Sequence, residues 1–300
     1  MFLSNQLNIN TPSPEHSLKA AWLEKKALTL TLKRDDLIHP VISGNKWRKL
    51  IYALKDAKQN QVQHIISFGG GFSNHLHALG YCCHQLNIKF TAIVRGDYSL
   101  NLSPMLNDLL NWQTDVKYVN RITYKKRGDP TYLQQLKEEY PKSLIIPEGG
   151  SQLQALKGVA EIITELQQNY DYIVAPVASG GTLAGLIASA AAITPKTQVI
   201  GVGVLKGKGY LEELVSSFLP SGVVCNNWQI NHDYHFGGYG KTTPELNTFC
   251  NDFLSHHSIR VEPVYSGKLC FAVKDLIHND YFPKSSKILA LHTGGLQGAR

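Results

Sequence analysis

The run Tyr172-Ile173-Val174-Ala175-Pro176-Val177-Ala178-Ser179-Gly180-Gly181-Thr182-Leu183-Ala184-Gly185 decides the fold class. An apolar, β-branched segment over Tyr172 to Pro176 passes through a glycine pair straight into an Ala-rich segment, Leu183 to Ala192. That is the signature of a strand feeding a helix in a parallel sheet. The glycines leave the turn's backbone amides free to point inward, a hydroxyl adds donors, and the helix start favours negative charge. The turn therefore reads as a phosphate cradle. It is not a Walker loop, because the Gly-Lys-Ser/Thr ending is missing.

Working outward, short β-branched runs alternate with amphipathic segments on both sides. Upstream strands are predicted over His64 to Phe68, Phe90 to Val94, Val116 to Val119 and Leu144 to Ile146, and downstream ones over Gln198 to Val204 and Lys287 to Leu291. Helices are predicted over Ser73 to Gln85, Pro130 to Tyr140, Gln152 to Gln168 and Pro244 to His256. The fold class is α/β. Pro147-Glu148-Gly149-Gly150 looks like a joint between two strand series, which predicts two open, mostly parallel sheets with a cleft between them. Residues 1–48 and 151–300 would make the larger domain and residues 49–150 the smaller. Sites in such sheets form at the carboxyl ends of strands, where loops hand over to helix N-termini.

The unusual residues fall at those places. In Ser43-Gly44-Asn45-Lys46-Trp47-Arg48-Lys49-Leu50, a Ser-Gly-Asn turn can start a helix with Lys46 in its first turn. A cation is disfavoured there, and its cationic neighbours Arg48 and Lys49 add to the effect. The pKa of Lys46 is expected to fall, as a lysine that forms a Schiff base requires. In Ser67-Phe68-Gly69-Gly70-Gly71-Phe72-Ser73-Asn74-His75, a strand runs into three glycines and then into a polar cluster where Ser73 and Asn74 can cap a helix. His75 and His77 stand two apart and do not share a helix face, so no metal site is expected. Tyr239 lies between glycines in Gly237-Gly238-Tyr239-Gly240-Lys241, Tyr265 precedes a helix in Glu262-Pro263-Val264-Tyr265-Ser266-Gly267-Lys268, and Thr293 follows the last strand. Gly201-Val202-Gly203 fails as a dinucleotide site, since the next glycine, Gly207, is displaced by one and no acidic residue follows about 20 positions on.

Composition narrows the classes. The formal charge of +7 is scattered and carries no nucleic-acid motif, so no nucleic-acid partner is expected, while the sign suits anionic ligands. Five cysteines lack metal-ligand spacing and read as reduced cytosolic thiols. Met1 to Pro12 lacks the charged start and apolar core of a secretory signal. No apolar run reaches membrane-spanning length, Val174 to Ile193 being broken by Pro176, Gly180 and Gly181. These features point to the cytoplasm.

Taken in order, Gly-Asn-Lys, Gly-Gly-x-x-Ser-Asn-His, Ser-Gly-Gly-Thr, Gly-Tyr-Gly, Pro-Val-Tyr-x-Gly-Lys and His-Thr-Gly-Gly closely resemble one family. It is that of the pyridoxal 5′-phosphate (PLP) enzymes acting as 1-aminocyclopropane-1-carboxylate (ACC) deaminase or D-cysteine desulfhydrase, with the tryptophan synthase β-like fold (fold type II). The resemblance spans about Leu32 to Gly298. It implies that Lys46 holds PLP covalently, that Asn74 bonds the ring hydroxyl, and that Lys49 lies near a phosphate held by Ser179, Gly180, Gly181, Thr182 and Leu183. Ser73 and His75 would bind the substrate carboxylate, with Asn74 beside them and Ser73 assisting proton transfer. Tyr239, on a lid-like loop, and Tyr265, at the floor, would be the two active-site tyrosines. Thr293 would face the pyridine nitrogen, where a hydroxyl supports a ring carbanion less than a carboxylate does. Trp47 and the triple glycine depart from the pattern and would reshape the pocket.

The implied activity is a lyase or deaminase acting on a small amino acid. The leading reaction is elimination from D-cysteine to pyruvate, sulfide and ammonia. Opening of ACC to 2-oxobutyrate, or PLP binding without catalysis, are the alternatives, and the relatives imply a homodimer.

Overall fold

A computed structural model describes residues 2–220 and 225–299. Among the described residues ten strands form two sheets. The larger contains β1 (Glu15–Ser17), β2 (Thr29–Lys33), β7 (Tyr172–Val177), β8 (Gln198–Gly203), β9 (Trp228–Asn231) and β10 (Lys287–Leu291), in the order β1-β2-β10-β7-β8-β9. The smaller contains β3 (His64–Gly70), β4 (Lys89–Arg95), β5 (Asp115–Val119) and β6 (Ser143–Ile146), in the order β5-β4-β3-β6. Every pairing is parallel except β1 with β2. The predicted α/β class and pair of mostly parallel sheets are what forms.

Strand composition explains the layers. Successive residues of β7 and β10 alternate between two cores, with Ile173, Ala175, Leu289 and Leu291 on one face and Val174, Ile288 and Ala290 on the other. Both faces of the sheet are thus covered, which is why these strands read as unbroken apolar runs. The smaller sheet packs Ile65, Phe90, Ala92 and Val94 against the helix Asn45–Gln59 and the helix Asn74–Gln85. Trp47 belongs to that core and is 1% exposed, so it does not reshape the pocket as its bulk suggested. Nor is Gly71 open space, since a β-carbon there would lie 2.4 Å from Cζ of Tyr98.

Three of the strands lay outside what the sequence predicts. β1 and β9 are short edge strands, and β2 shows a Thr-Leu alternation with Leu30 and Leu32 buried. The helix expected to reach Gln168 ends at Thr164, where Glu165 turns to meet Arg48.

The helix Asn45–Gln59 is locked in place from two sides. Gly158 of the helix Leu153–Thr164 lets the two backbones touch, because a β-carbon there would sit 1.9 Å from the Arg48 carbonyl oxygen. Arg48 itself is 0% exposed and donates to Asp35 (3.1 Å) and to Glu165 (2.7 Å). Ser13 donates to the same Asp35 oxygen, and buried Lys33 lies 3.5 Å from Glu165. Removing one member of such a set leaves buried charge without a partner, which costs more than the set contributes net. Among the described residues no helix is long and apolar enough to cross a membrane.

Replacing Arg48 by Met is expected to lower unfolding stability by about 3 to 5 kcal/mol, read as a drop in the urea midpoint with an unchanged slope. A loss below about 1 kcal/mol, the scale of an exposed ion pair, would mean that the network does not hold this helix.

Candidate active site

The functional residues gather where both sheets reverse their strand order. In the larger sheet β8 and β9 lie to one side of β7 while β10 and β2 lie to the other; in the smaller, β4 and β5 lie to one side of β3 and β6 to the other. Loops leaving the carboxyl ends of neighbouring strands diverge at such points and open a crevice. The loops after β3 (Gly71 to Ser73), β6 (Pro147 to Ser151), β7 (Ala178 to Gly180) and β10 (His292 to Gly295), with the first turns of the helices Asn74–Gln85 and Gly181–Ile193 that two of them feed, carry most of the predicted site residues.

Lys46 falls in the first turn of the Asn45–Gln59 helix, as expected from Ser-Gly-Asn. Gly44 caps that helix at φ 70°, and a β-carbon on it would lie 1.7 Å from the Thr293 carbonyl oxygen. The Asn45 amide donates to that same oxygen (3.3 Å), so Thr293 is held against the lysine turn by backbone contact. Lys46 Nζ donates to Asn45 Oδ1 (2.6 Å), and Asn45 Nδ2 donates to Thr182 Oγ1 (2.8 Å). The amine is therefore two hydrogen bonds from the Ser179 to Leu183 turn. Asn45, which makes both bonds, was not singled out from the sequence.

The pKa of Lys46 falls to about 8, as expected, but by another route. Burial is the cause, opposed by the carboxylate of Glu262. Arg48 does not contribute, because it points away into the Asp35 and Glu165 network.

Lys49, one turn further on, is 2% exposed, and its Nζ donates to Ser151 Oγ (2.7 Å) and Ser179 Oγ (3.2 Å). Among the described residues no carboxylate pairs with it. Burial first and then Lys46 hold its pKa well below the ordinary lysine value. A buried ammonium that has only hydroxyl partners lacks an anion. Beside it the helix Gly181–Ile193 begins after Gly180 at φ 73°, and the amides of Thr182 and Leu183 enter that helix without an intrahelical acceptor. The Leu183 side chain is in the core, so only its amide can serve. Cation, hydroxyls and helix start together fit a phosphate.

Ser73 caps the helix Asn74–Gln85 by accepting from the Leu76 amide (3.2 Å), which leaves its own hydrogen free to donate. Asn74 Oδ1 accepts from Gln297, so its Nδ2 hydrogens remain for a ligand acceptor. His75 departs from expectation. Ser67 donates its one hydrogen to the Ile146 carbonyl (2.7 Å) and so accepts from His75 Nε2 (2.7 Å). Burial, then Lys49 and Lys46, keep the ring neutral. Its Nδ1 is therefore a bare, buried acceptor without a partner, facing Gly150. In this state it cannot donate to a carboxylate.

Tyr239 and Tyr265 meet at 2.8 Å between hydroxyls. Burial first, then Tyr239, hold Tyr265 well above the ordinary phenol pKa, so it stays protonated. Glu262 was missed as a site residue. It is 4% exposed, its carboxylate accepts from the amides of Val264, Tyr265 and Ser266 and from the Ser266 hydroxyl, and burial pushes it up to about 7 against those donors. The signal was present in Glu262-Pro263-Val264-Tyr265, an acid just before a helix start.

The sequence model of the family described as "Pyridoxal-phosphate dependent enzyme" matches residues 7–294. The chain belongs to that family. It is 31% identical over 280 residues to a Pyrococcus horikoshii protein named "Putative 1-aminocyclopropane-1-carboxylate deaminase", covering 89% of this chain and 84% of that one. It is 29% identical over 311 residues to the bifunctional D-cysteine desulfhydrase/ACC deaminase, mitochondrial, of Arabidopsis thaliana, covering 96% and 77%. The crystal structure of an ACC deaminase homologue superposes with a TM-score of 0.80 at 26% identity, over 99% of this chain and 95% of that one. The fold is that of fold type II PLP enzymes, and PLP is the cofactor. The residues present fit that group: the buried, low-pKa amine of Lys46 would bond its aldehyde carbon, and Lys49 with the Ser179 to Leu183 turn offers the donors that would hold its phosphate.

Uptake of PLP by the cofactor-free chain should accelerate with pH up to about 8 and then level off, because the neutral amine is the reactive form. An ordinary lysine, with a pKa of about 10.4, would give a rate still rising beyond pH 10. Lys49→Gln should weaken PLP by about 10- to 100-fold, the scale of a lost charged hydrogen bond, while leaving pyridoxal, which has no phosphate, unaffected. Equal weakening of both ligands would place Lys49 away from the phosphate.

Proposed function

We propose that this chain is a PLP-dependent lyase that eliminates the β-thiol of a small amino acid, D-cysteine in the first place. One molecule of water is taken up, and pyruvate, hydrogen sulfide and ammonia leave. The observation that carries the reading is Thr293, a neutral hydroxyl at the position expected to face the pyridine nitrogen. Its hydroxyl has no protein partner among the described residues, and the nearby Glu262 carboxylate is already occupied by four donors of the 262–266 turn. A ring partnered by a hydroxyl is a weaker electron sink. Expulsion of a good leaving group such as a thiol needs less of that sink than opening a carbon ring does.

When bound, PLP supplies the electron sink that loosens the bond to the α-hydrogen. The chain's own groups then have distinct tasks. Lys46, whose neutral form is well populated near pH 8, takes the α-proton. The Tyr265 and Tyr239 hydroxyls, bonded to each other, hold a proton where a departing sulfur can collect it. Ser73, capped onto its helix with its hydrogen free, donates to the substrate carboxylate. His75 joins it only if Ser67 turns its hydrogen from the Ile146 carbonyl to His75 Nε2, which frees Nδ1 to carry the proton. Asn74 donates to the cofactor's ring hydroxyl.

Deamination of ACC is the competing reading. It is supported by the names of the Pyrococcus horikoshii relative and of the solved homologue.

The test is an assay for keto acid and sulfide with D-cysteine, L-cysteine and ACC. Pyruvate and sulfide in equal amounts from D-cysteine are expected, with Lys46→Ala slower by about 10³-fold or more. Faster release of 2-oxobutyrate from ACC than of sulfide from either cysteine isomer would overturn the assignment.

A further inference from the structure

The reaction assigned to Lys46 leaves another buried lysine unexplained. Lys268 is the third residue of the helix Ser266–His278, three positions after Tyr265, and is 0% exposed. A helix N-terminus is an unfavourable place for a cation. Burial pulls its pKa down to about 8 while Glu262 opposes that fall, so at pH 7 roughly nine in ten molecules carry the ammonium.

What stabilises it is a set of backbone carbonyls. Lys268 Nζ donates to Val204 O (3.1 Å), His235 O (2.8 Å) and Gly238 O (2.9 Å). An ammonium has three hydrogens, and all three are used. The acceptors come from two separate segments. Val204 directly follows β8, and His235 and Gly238 belong to the glycine-flanked loop that carries Tyr239. That loop bonds little else to the rest of the molecule through its backbone. The Gly238 amide returns to His235 O (3.0 Å) and the Lys241 amide to Gly238 O (3.1 Å), so its internal turns share the carbonyls that Lys268 holds. Phe236, Gly237, Gly238 and Gly240 all take positive φ, so the loop depends on external ties for its shape.

We infer that Lys268 is a positioning residue: its ammonium fills a three-carbonyl cation site and so fixes Tyr239 against Tyr265. One end of the tie is the helix whose start bears Tyr265, and the other is the loop whose next residue is Tyr239. The bond between the two hydroxyls, 2.8 Å, is thereby set through the backbone rather than by the rings alone. More than half of Tyr239 is exposed, so side-chain packing cannot by itself hold it there. The motif Pro-Val-Tyr-x-Gly-Lys then has a physical reason, with its Tyr supplying one hydroxyl and its Lys placing the other. The inference rests on the proposed role of the tyrosine pair.

The test uses the PLP-loaded enzyme with Lys268→Met, Tyr239→Phe and the double variant, followed by amide hydrogen exchange and turnover. Lys268→Met should speed exchange at Gly238 and Lys241 and lower kcat by about 10-fold or more, with PLP absorbance retained. The double variant should be no slower than Tyr239→Phe, because residues acting through one group do not add. Lys268→Ala supplied with ammonium chloride should recover loop protection and part of the lost kcat as the small cation re-enters the carbonyl site. This variant carries the test if Lys268→Met does not fold. Unchanged exchange at Gly238 and Lys241, losses that add in the double variant, or no recovery with ammonium would each overturn the inference. Full activity in Tyr239→Phe would instead sink the catalytic role of the tyrosine pair, while the exchange measurement still decides whether Lys268 pins the loop.

Discussion

Arg48 is the fixed point from which the site is built. Its guanidinium is wholly enclosed, binds Asp35 on one side and Glu165 on the other, and so ties the segment after β2, the first turn of the Asn45–Gln59 helix and the end of the Leu153–Thr164 helix into one body. A helix turns about 100° per residue, so anchoring Arg48 inward settles where its neighbours point. Lys46 and Lys49, three apart, share a face, and that face looks toward the Ser179 to Leu183 turn. Trp47 is turned into the core of the smaller sheet. The ion network thus anchors the helix that carries both buried lysines.

Around this point the chain concentrates buried basic groups that no carboxylate bonds directly among the described residues. Lys49 has only hydroxyls for partners, Lys46 has an amide oxygen, and His75 stays neutral with a bare acceptor. Elsewhere in the molecule buried cations are neutralised or saturated, Arg48 by two carboxylates and Lys268 by three carbonyls. The contrast separates ties that hold the fold from groups that await a ligand. An anionic aldehyde cofactor satisfies both lysines at once, one as counter-charge and one as a bonded partner.

Much of this was legible in the sequence. The central strands of both sheets are buried on both faces and therefore read as apolar runs, and the helix starts at Ser73 and Pro244 carry capping residues that mark them. β1 is three polar residues with no apolar position, and β9, although it alternates as Trp-Gln-Ile-Asn, is too short at four residues for that period to stand out. β2 carries a readable alternation, Thr-Leu-Thr-Leu, which the charged run Lys33 to Asp36 cuts short. Lys46, Ser73, Thr182 and Thr293 lie at the helix starts and the strand end that their local motifs mark. What sequence could not supply were contacts that only the folded chain creates: Asn45 bridging to Thr182, and Ser67, bonded to the Ile146 carbonyl, setting which nitrogen of His75 holds the hydrogen.

A covalent bond from PLP to Lys46 would be the centre of the site, and chemical trapping tests it most directly. The PLP-loaded protein is reduced with borohydride, digested, and its peptides are weighed and fragmented. A single pyridoxyl mark on Lys46 is the predicted result. A mark on Lys49 or Lys268 instead, or no mark on any peptide, would contradict it.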